Sequence, residues 1–255
     1  SSDLYIFDST SPVGPGTWDA IVCSATLAHA GARALLRGEM RVYAMCRPPG
    51  HHAGRNFAGG YCYFNNSAIA ANALRKMGEV AIVDIDYHHG NGTQAIFWDR
   101  PDVFYASIHA DPEIDYPHYA GYADEIGGEA ALGSTLNVPL ERGVDEAGYL
   151  QALAGVLDAV RDFEPAALIV SLGFDAYKDD PMATFALETD SYSRVGAMFD
   201  ALDIPTLYVQ EGGYSVEKLG EMAVHFFNGV LQDKTPREGE HSQTANTQQE
   251  QQEEA

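Results

Sequence analysis

The sequence predicts an α/β fold: an open, mostly parallel sheet with helices on both faces, in three layers. Two observations carry that reading. Short apolar runs alternate with helix-periodic segments along most of the 255 residues, the signature of strands joined by helical crossovers. The unusual polar clusters each follow an apolar run, and open parallel sheets bind ligands outside the carboxyl ends of their strands. A chain that is 45% apolar with 25 glycines can also bury a large single core.

TWDAIVCSATLAHAGARALLRG (17–38) has helical spacing, with Gly38 where a C-cap is expected. VYAMC (42–46) reads as the first strand, and NNSAIAANALRKMG (65–78) as a helix closed by Gly78. VAIVDI (80–85) and VFYASI (103–108) are strand-like, DEAGYLQALAGVLDAVRDF (145–163) helical, and ALIVSL (167–172) strand-like again. TDSYSRVGAMFDAL (189–202), TLYVQ (206–210) and SVEKLGEMAVHFFNGVL (215–231) give helix, strand and helix. From about Gln232 the chain is polar, Gln-rich, acidic and free of aromatics, so 232–255 reads as a disordered tail after a domain of residues 1–231.

The formal net charge is −22, from 37 acidic and 15 basic residues, and only four of the basic residues are lysine. A phosphate-facing nucleic-acid surface is therefore excluded as a reading. The scattered acids suggest a solvating surface, as in salt adaptation, or a field that attracts cationic ligands. No run of about 18 apolar residues marks a membrane span. No basic and apolar leader is visible, so the expected location is cytoplasmic. Cys23, Cys46 and Cys62 lack C-x-x-C spacing, and read as small buried hydrophobes of a reducing compartment.

Four polar clusters follow predicted strands: RPPGHHAG (47–54), DIDYHHGNG (84–92), GFDAYKDDP (173–181) and EGGY (211–214). Two carboxylates and two imidazoles at the end of an apolar strand require partners or a cation, because burying an unpaired charge costs several kcal/mol. Asp86 and His88 lie nearest the strand end and are natural metal ligands; Asp175 is the best-placed third. An Asp₂His set with open positions suits Zn²⁺, and Fe²⁺ is compatible. The bland alternative is that Asp84 and Asp86 only cap the next helix. His51 and His52 could supply a general base and a general acid, with Asp84 and Asn91 as orienting partners. Tyr214 follows two glycines on a turn expected to be flexible, where its hydroxyl could stabilise an oxyanion.

Together, RPPGHHA, DIDYHHGNGTQ, SLGFDAYKDDP and EGGY resemble the histone deacetylase superfamily, in the family's order, from about Leu4 to Leu231. GGYCYFNNSAIAA and SIHADPEIDYPHYAGYADEIG are most similar to its acetylpolyamine amidohydrolases. The resemblance implies an arginase/deacetylase-like α/β fold, so residues 1–231 are expected to form the catalytic domain. It implies zinc ligands at Asp86, His88 and Asp175, and paired His52–Asn91 and His51–Asp84, with His52 the general base. It assigns carbonyl polarisation to Tyr214 and an acyl-amine tunnel wall to Gly60 and Tyr61, with Tyr116 opposite. A structural K⁺ is implied at the carbonyls of Asp84, Asp86, His88 and Ile108, the Asp84 carboxylate and the Ser107 hydroxyl. The implied reaction is metal-assisted hydrolysis of a linear amide, giving a carboxylate and a free amine.

Family members have a further strand, helix and substrate loop upstream of the point where this chain starts. The expectation is therefore that the N-terminal part of the family domain is missing. In acetylpolyamine amidohydrolases that region carries an acidic loop involved in dimerisation, which implies a homo-oligomer. The substrate is expected to be an acylated small amine, with Glu113 and Asp115 beside Tyr116 favouring a cationic one. An acyl-lysine protein deacetylase is the nearest rival. An arginase-like two-manganese hydrolase and a non-catalytic binder of acylated ligands are the others.

Overall fold

In the computed structural model, residues 5–6 and 8–231 are described. The predicted 232–255 tail lies outside them. Two-residue strands β1 (Tyr5–Ile6) and β2 (Pro12–Val13) pair antiparallel ahead of the main sheet. Then follow α1 (Thr17–Leu35), β3 (Arg41–Ala44), α2 (Asn66–Leu74), β4 (Val80–Asp84), α3 (Asn91–Phe97) and β5 (Val103–Ala110). The chain continues through β6 (Thr135–Leu140), α4 (Glu146–Phe163), β7 (Ala167–Leu172), α5 (Ser191–Asp200), β8 (Thr206–Gln210) and α6 (Val216–Val230).

The main sheet has six strands in the order β3-β8-β7-β4-β5-β6, and every pairing in it is parallel. Period-two alternation divides each central strand between two cores. Ala81 and Val83 of β4, Val170 of β7 and Tyr208 of β8 join residues of α4, α5 and α6 on one face. Val80 and Ile82, Ile169, and Leu207 and Val209 join α1 and α2 on the other. That is the predicted three-layer arrangement. The chain leaves β4 towards β5 and β6 on one side, then returns to place β7 against β4 on the other. The crevice at the carboxyl ends of β4 and β7 is thus a topological switch point, where open α/β sheets bind ligands.

The five predicted strands form, but β6 and α3 have no counterpart in the sequence reading. β6 is an edge strand that contains Pro139, a residue that edges tolerate and that masks a strand pattern. α3 is seven residues long and starts inside a glycine-rich turn, too short to show a helical period. The helix expected over 65–78 stops at Leu74. Cys46 and Cys62 are buried as expected, whereas Cys23 is exposed on α1 and is no core hydrophobe. No helix among the described residues is long and apolar enough to cross a membrane.

Candidate active site and metal centre

The loops after β3, β4, β7 and β8 bring the four polar clusters together. Asp84 is the last residue of β4; beyond it the backbone turns, so Asp86, Tyr87 and His88 point their groups from a loop. His88 Nδ1 lies 3.3 Å from Asp86 Oδ1 and 3.2 Å from Asp175 Oδ2. All three side chains are buried, and their donor atoms lie within 4.8 Å of one another. Backbone amides fix the two carboxylates from outside: Tyr87 N–H donates to Asp175 Oδ1 at 2.8 Å and Gly212 N–H to Asp86 Oδ2 at 2.7 Å. His88 N–H donates to Asp86 Oδ1 at 2.9 Å.

The fit to a cation can be judged from these groups. Bonds of about 2.0–2.1 Å to a tetrahedral ion imply donor spacings of about 3.3 Å, close to the separations of His88 from the two carboxylates. Without an ion, burial opposes a charge on His88, but its contacts with Asp175 and Asp86 prevail and raise its pKa to about 10. Burial, with the neighbouring Asp86 charge, raises Asp175 to about 7. A buried pair of carboxylates thus recruits a proton onto an imidazole, the electrostatic demand that a divalent cation meets better.

The tandem histidines face this cluster. His51 Nδ1 lies 3.1 Å from Asp84 Oδ2, and His52 Nδ1 lies 2.7 Å from Asn91 Oδ1. His51 Nε2 is 3.8 Å from Asp86 Oδ1. Their environments push them apart. Burial and the nearby His51 and His88 hold His52 well below the ordinary imidazole range. For His51, burial is outweighed by the charges of Asp86 and Asp84, and its pKa is well above that range.

A cavity of about 140 Å³ opens from this point, lined by Thr10, His52, Gly60, Tyr61, His88, Tyr116, Met182 and Tyr214. Tyr116 stands edge-on to His52, with ring centroids 4.8 Å apart, and Tyr61 lies 5.8 Å from Tyr214. Gly60 and Tyr61 both adopt left-handed backbone, with φ of 54° and 66°. A Cβ on Gly60 would sit 2.3 Å from the His52 ring, so glycine is what lets this wall approach the histidine. Burial, with the charges of Asp86 and Asp175, raises the Tyr214 pKa far above that of a free phenol, so the hydroxyl keeps its proton.

Ser107 sits beside Asp84 in the β4–β5 register, and Ile108, the next residue, is buried opposite Val138 of β6. His109 Nε2 is 2.8 Å from the Gly121 carbonyl, which makes that nitrogen the protonated one. Its Nδ1 must therefore accept, and the Ser107 hydroxyl donates to it at 2.8 Å. The Ser107 hydroxyl also neighbours the Tyr105 side chain, and its oxygen keeps acceptor capacity for a cation.

Three features were not legible as functional in the sequence. Asp180 accepts from Tyr214 N at 2.7 Å and Ser215 N at 3.0 Å, so the turn expected to be flexible is clamped. Glu211 is buried and accepts from Gly50 N at 2.6 Å and His51 N at 3.1 Å, pinning the histidine loop to the end of β8. Asp115, expected as a rim charge, also accepts from the Tyr87 hydroxyl at 2.7 Å. Asp180 and Glu211 do stand in the quoted clusters, but only through-space contact reveals what they hold.

The histone deacetylase domain family matches residues 2–230. Acetylpolyamine amidohydrolase 2 of Pseudomonas aeruginosa is 48% identical over 227 residues, covering 88% of this chain and 66% of that protein. The crystal structure of acetylpolyamine aminohydrolase from Burkholderia pseudomallei superposes with a TM-score of 0.86 at 48% identity, over 87% of this chain and 65% of the other. The HDA15 HD domain gives the same TM-score at 34% identity, over 90% of this chain and 67% of that one. The chain thus spans about two thirds of the length of its curated relatives.

Proposed function

The chain belongs to the histone deacetylase domain family, and from that premise we propose that it is a metal-dependent amide hydrolase that removes acyl groups, acetyl foremost, from amines. The observation that carries this is one cavity lined by His88 of the three-donor cluster, His52 of the oriented histidine pair and Tyr214.

Asp86, His88 and Asp175 would hold the metal, Zn²⁺ by donor set with Fe²⁺ compatible. It would supply positive charge that polarises the acyl carbonyl and acidifies the attacking water. Ser107, Ile108 and Asp84 would contribute to a K⁺ site beneath it. His52 gives its Nδ1 proton to the Asn91 carbonyl oxygen, which leaves Nε2 bare to accept a proton from water. The depressed pKa keeps that lone pair available. His51, held cationic beside Asp84, delivers a proton to the departing amine nitrogen. Two imidazoles with oppositely shifted pKa values divide base and acid work in this way. Tyr214 donates its hydroxyl to the oxyanion that develops on the acyl oxygen. Gly60, Tyr61 and Tyr116 clasp the methylene chain.

Names of relatives support an acetylated polyamine as substrate. A second reading is acyl-lysine protein deacetylation, the rival substrate class within the same family. A cytoplasmic location and a homo-oligomer accompany the first reading. The test is acetate release by zinc-loaded protein from N-acetylputrescine and from an acetyl-lysine peptide. His52→Ala is expected to lower the rate by about 10²–10⁴-fold. Preference for the peptide would replace the polyamine reading. Hydrolysis undiminished in His52→Ala would refute the assignment of the base.

A further inference from the structure

Next to the Asp86–His88–Asp175 cluster, with His51 3.8 Å from Asp86, lies a second group of donors that the proposed reaction does not use in full. Ligand atoms of His51, Cys62 and Glu211 lie within 4.8 Å of one another, and all three residues are buried. The chain assembles them from three separate places: the loop after β3, the turn beyond Gly60, and the end of β8. His51 is also paired with Asp84 at 3.1 Å. The Cys62 sulfur contacts the Gly60 carbonyl at 3.4 Å and the His52 backbone. Glu211 spends Oε2 on the Gly50 and His51 amides, while Oε1 has one long contact, 3.5 Å from Ser67 Oγ.

We propose that His51, Cys62 and Glu211 form a second cation site, selective for thiophilic divalent ions, whose occupation shuts the enzyme off. Sulfur, imidazole nitrogen and carboxylate oxygen are a donor set that Zn²⁺, Cd²⁺ and similar soft or borderline ions prefer to Mg²⁺ or Ca²⁺. Bonds of about 2.0–2.3 Å imply donor spacings of about 3.3–3.7 Å, so separations of up to 4.8 Å close by up to about 1–1.5 Å around the ion. The incoming cation displaces two protons to water, one from the Cys62 thiol and one from the cationic His51, so that a thiolate and a neutral imidazole nitrogen become its ligands. Glu211 Oε1 enters as the third ligand at the cost of its long serine contact. Inhibition follows because a cation on His51 removes the proton that this histidine must pass to the leaving amine. That consequence rests on the function proposed above; occupancy of the site does not.

The experiment uses zinc-loaded protein titrated with CdCl₂. It follows the near-ultraviolet thiolate-to-cadmium absorbance, zinc release to a chromogenic chelator, and acetate release. The absorbance should saturate at one Cd²⁺ per chain with zinc retained, both in the native protein and in Cys23→Ser. It should vanish in Cys62→Ser and require at least tenfold more Cd²⁺ in Glu211→Gln. Acetate release should fall with the same midpoint as the absorbance rises, and Cys62→Ser should resist. An absorbance that persists in Cys62→Ser, or an unshifted midpoint in Glu211→Gln, overturns the proposal. If near-ultraviolet circular dichroism shows Cys62→Ser misfolded, the Glu211→Gln midpoint decides alone. If no acylated amine is hydrolysed, the absorbance still decides the site while the functional reading fails separately.

Discussion

Gly60→Ala separates the roles of the cavity wall and the metal cluster. An alanine at φ 54° must hold a left-handed backbone, which costs about 1–2 kcal/mol. Its Cβ would also lie 2.3 Å from His52 Cδ2 and 3.0 Å from Tyr116 Cε1. Carbon atoms pack at about 3.5–4.0 Å, so the imidazole has to retreat by about 1 Å. The 2.7 Å contact from His52 Nδ1 to Asn91 then stretches beyond useful hydrogen-bond length. Overpacking adds about 1–3 kcal/mol. The total of about 2–5 kcal/mol corresponds to ~5–15 °C in Tm for a domain of this size. A 1 Å displacement of a catalytic group costs about 10²-fold in kcat. None of the three atoms nearest the new methyl group belongs to Asp86, His88 or Asp175, so zinc content should match the native protein. The assays are acetate release, zinc by atomic absorption, and thermal unfolding. A kcat within about threefold of native, in protein with full zinc, would refute the argument that Gly60 sets the position of His52.

Gly212→Ala should give the converse result. Its Cβ would meet Asp86 Oδ2 at 2.5 Å and Asp175 Oδ2 at 2.8 Å, so metal affinity should fall at least about tenfold in a competition titration with a chelator; native affinity would contradict the ligand assignment. Asp180→Ala removes the acceptor for two amides around Tyr214; kcat should drop about tenfold or more at unchanged zinc content, and equal kcat would show the turn needs no clamp. Burial depresses His109 from 6.5 to about 4 despite its bonds to Gly121 and Ser107. A depressed folded-state pKa gives stability that is present above about pH 6.5 and lost as pH falls towards 4. At about 1.4 kcal/mol per pH unit the loss is roughly 3 kcal/mol. Urea unfolding across that window should show His109→Asn losing less stability than the native protein, and parallel curves would exclude His109 as the source.

Local patterning already determined the layers of this protein. VAIV (80–83) is apolar at every position and ALIVSL at all but Ser171, because a strand covered on both faces offers no solvent side for polar residues. Asp84, Asp86 and His88 stood out because charge at the end of such a run demands a partner. Hydrogen-bond partners are set instead by which loops meet at the switch point between β4 and β7, and no local pattern encodes that meeting. Hence the bond from the Tyr87 hydroxyl to Asp115 has no local signature. Asp180 stood in a quoted cluster without a role until the turn carrying Tyr214 closed onto it. β6 was hidden for a related reason: Pro139 and Asn137 weaken its strand signal, and only pairing with β5 recruits it to the edge. Residue types and spacing named the donors and the carrying strands; tertiary contact chose the partners, because those bonds join positions from 33 to 161 residues apart.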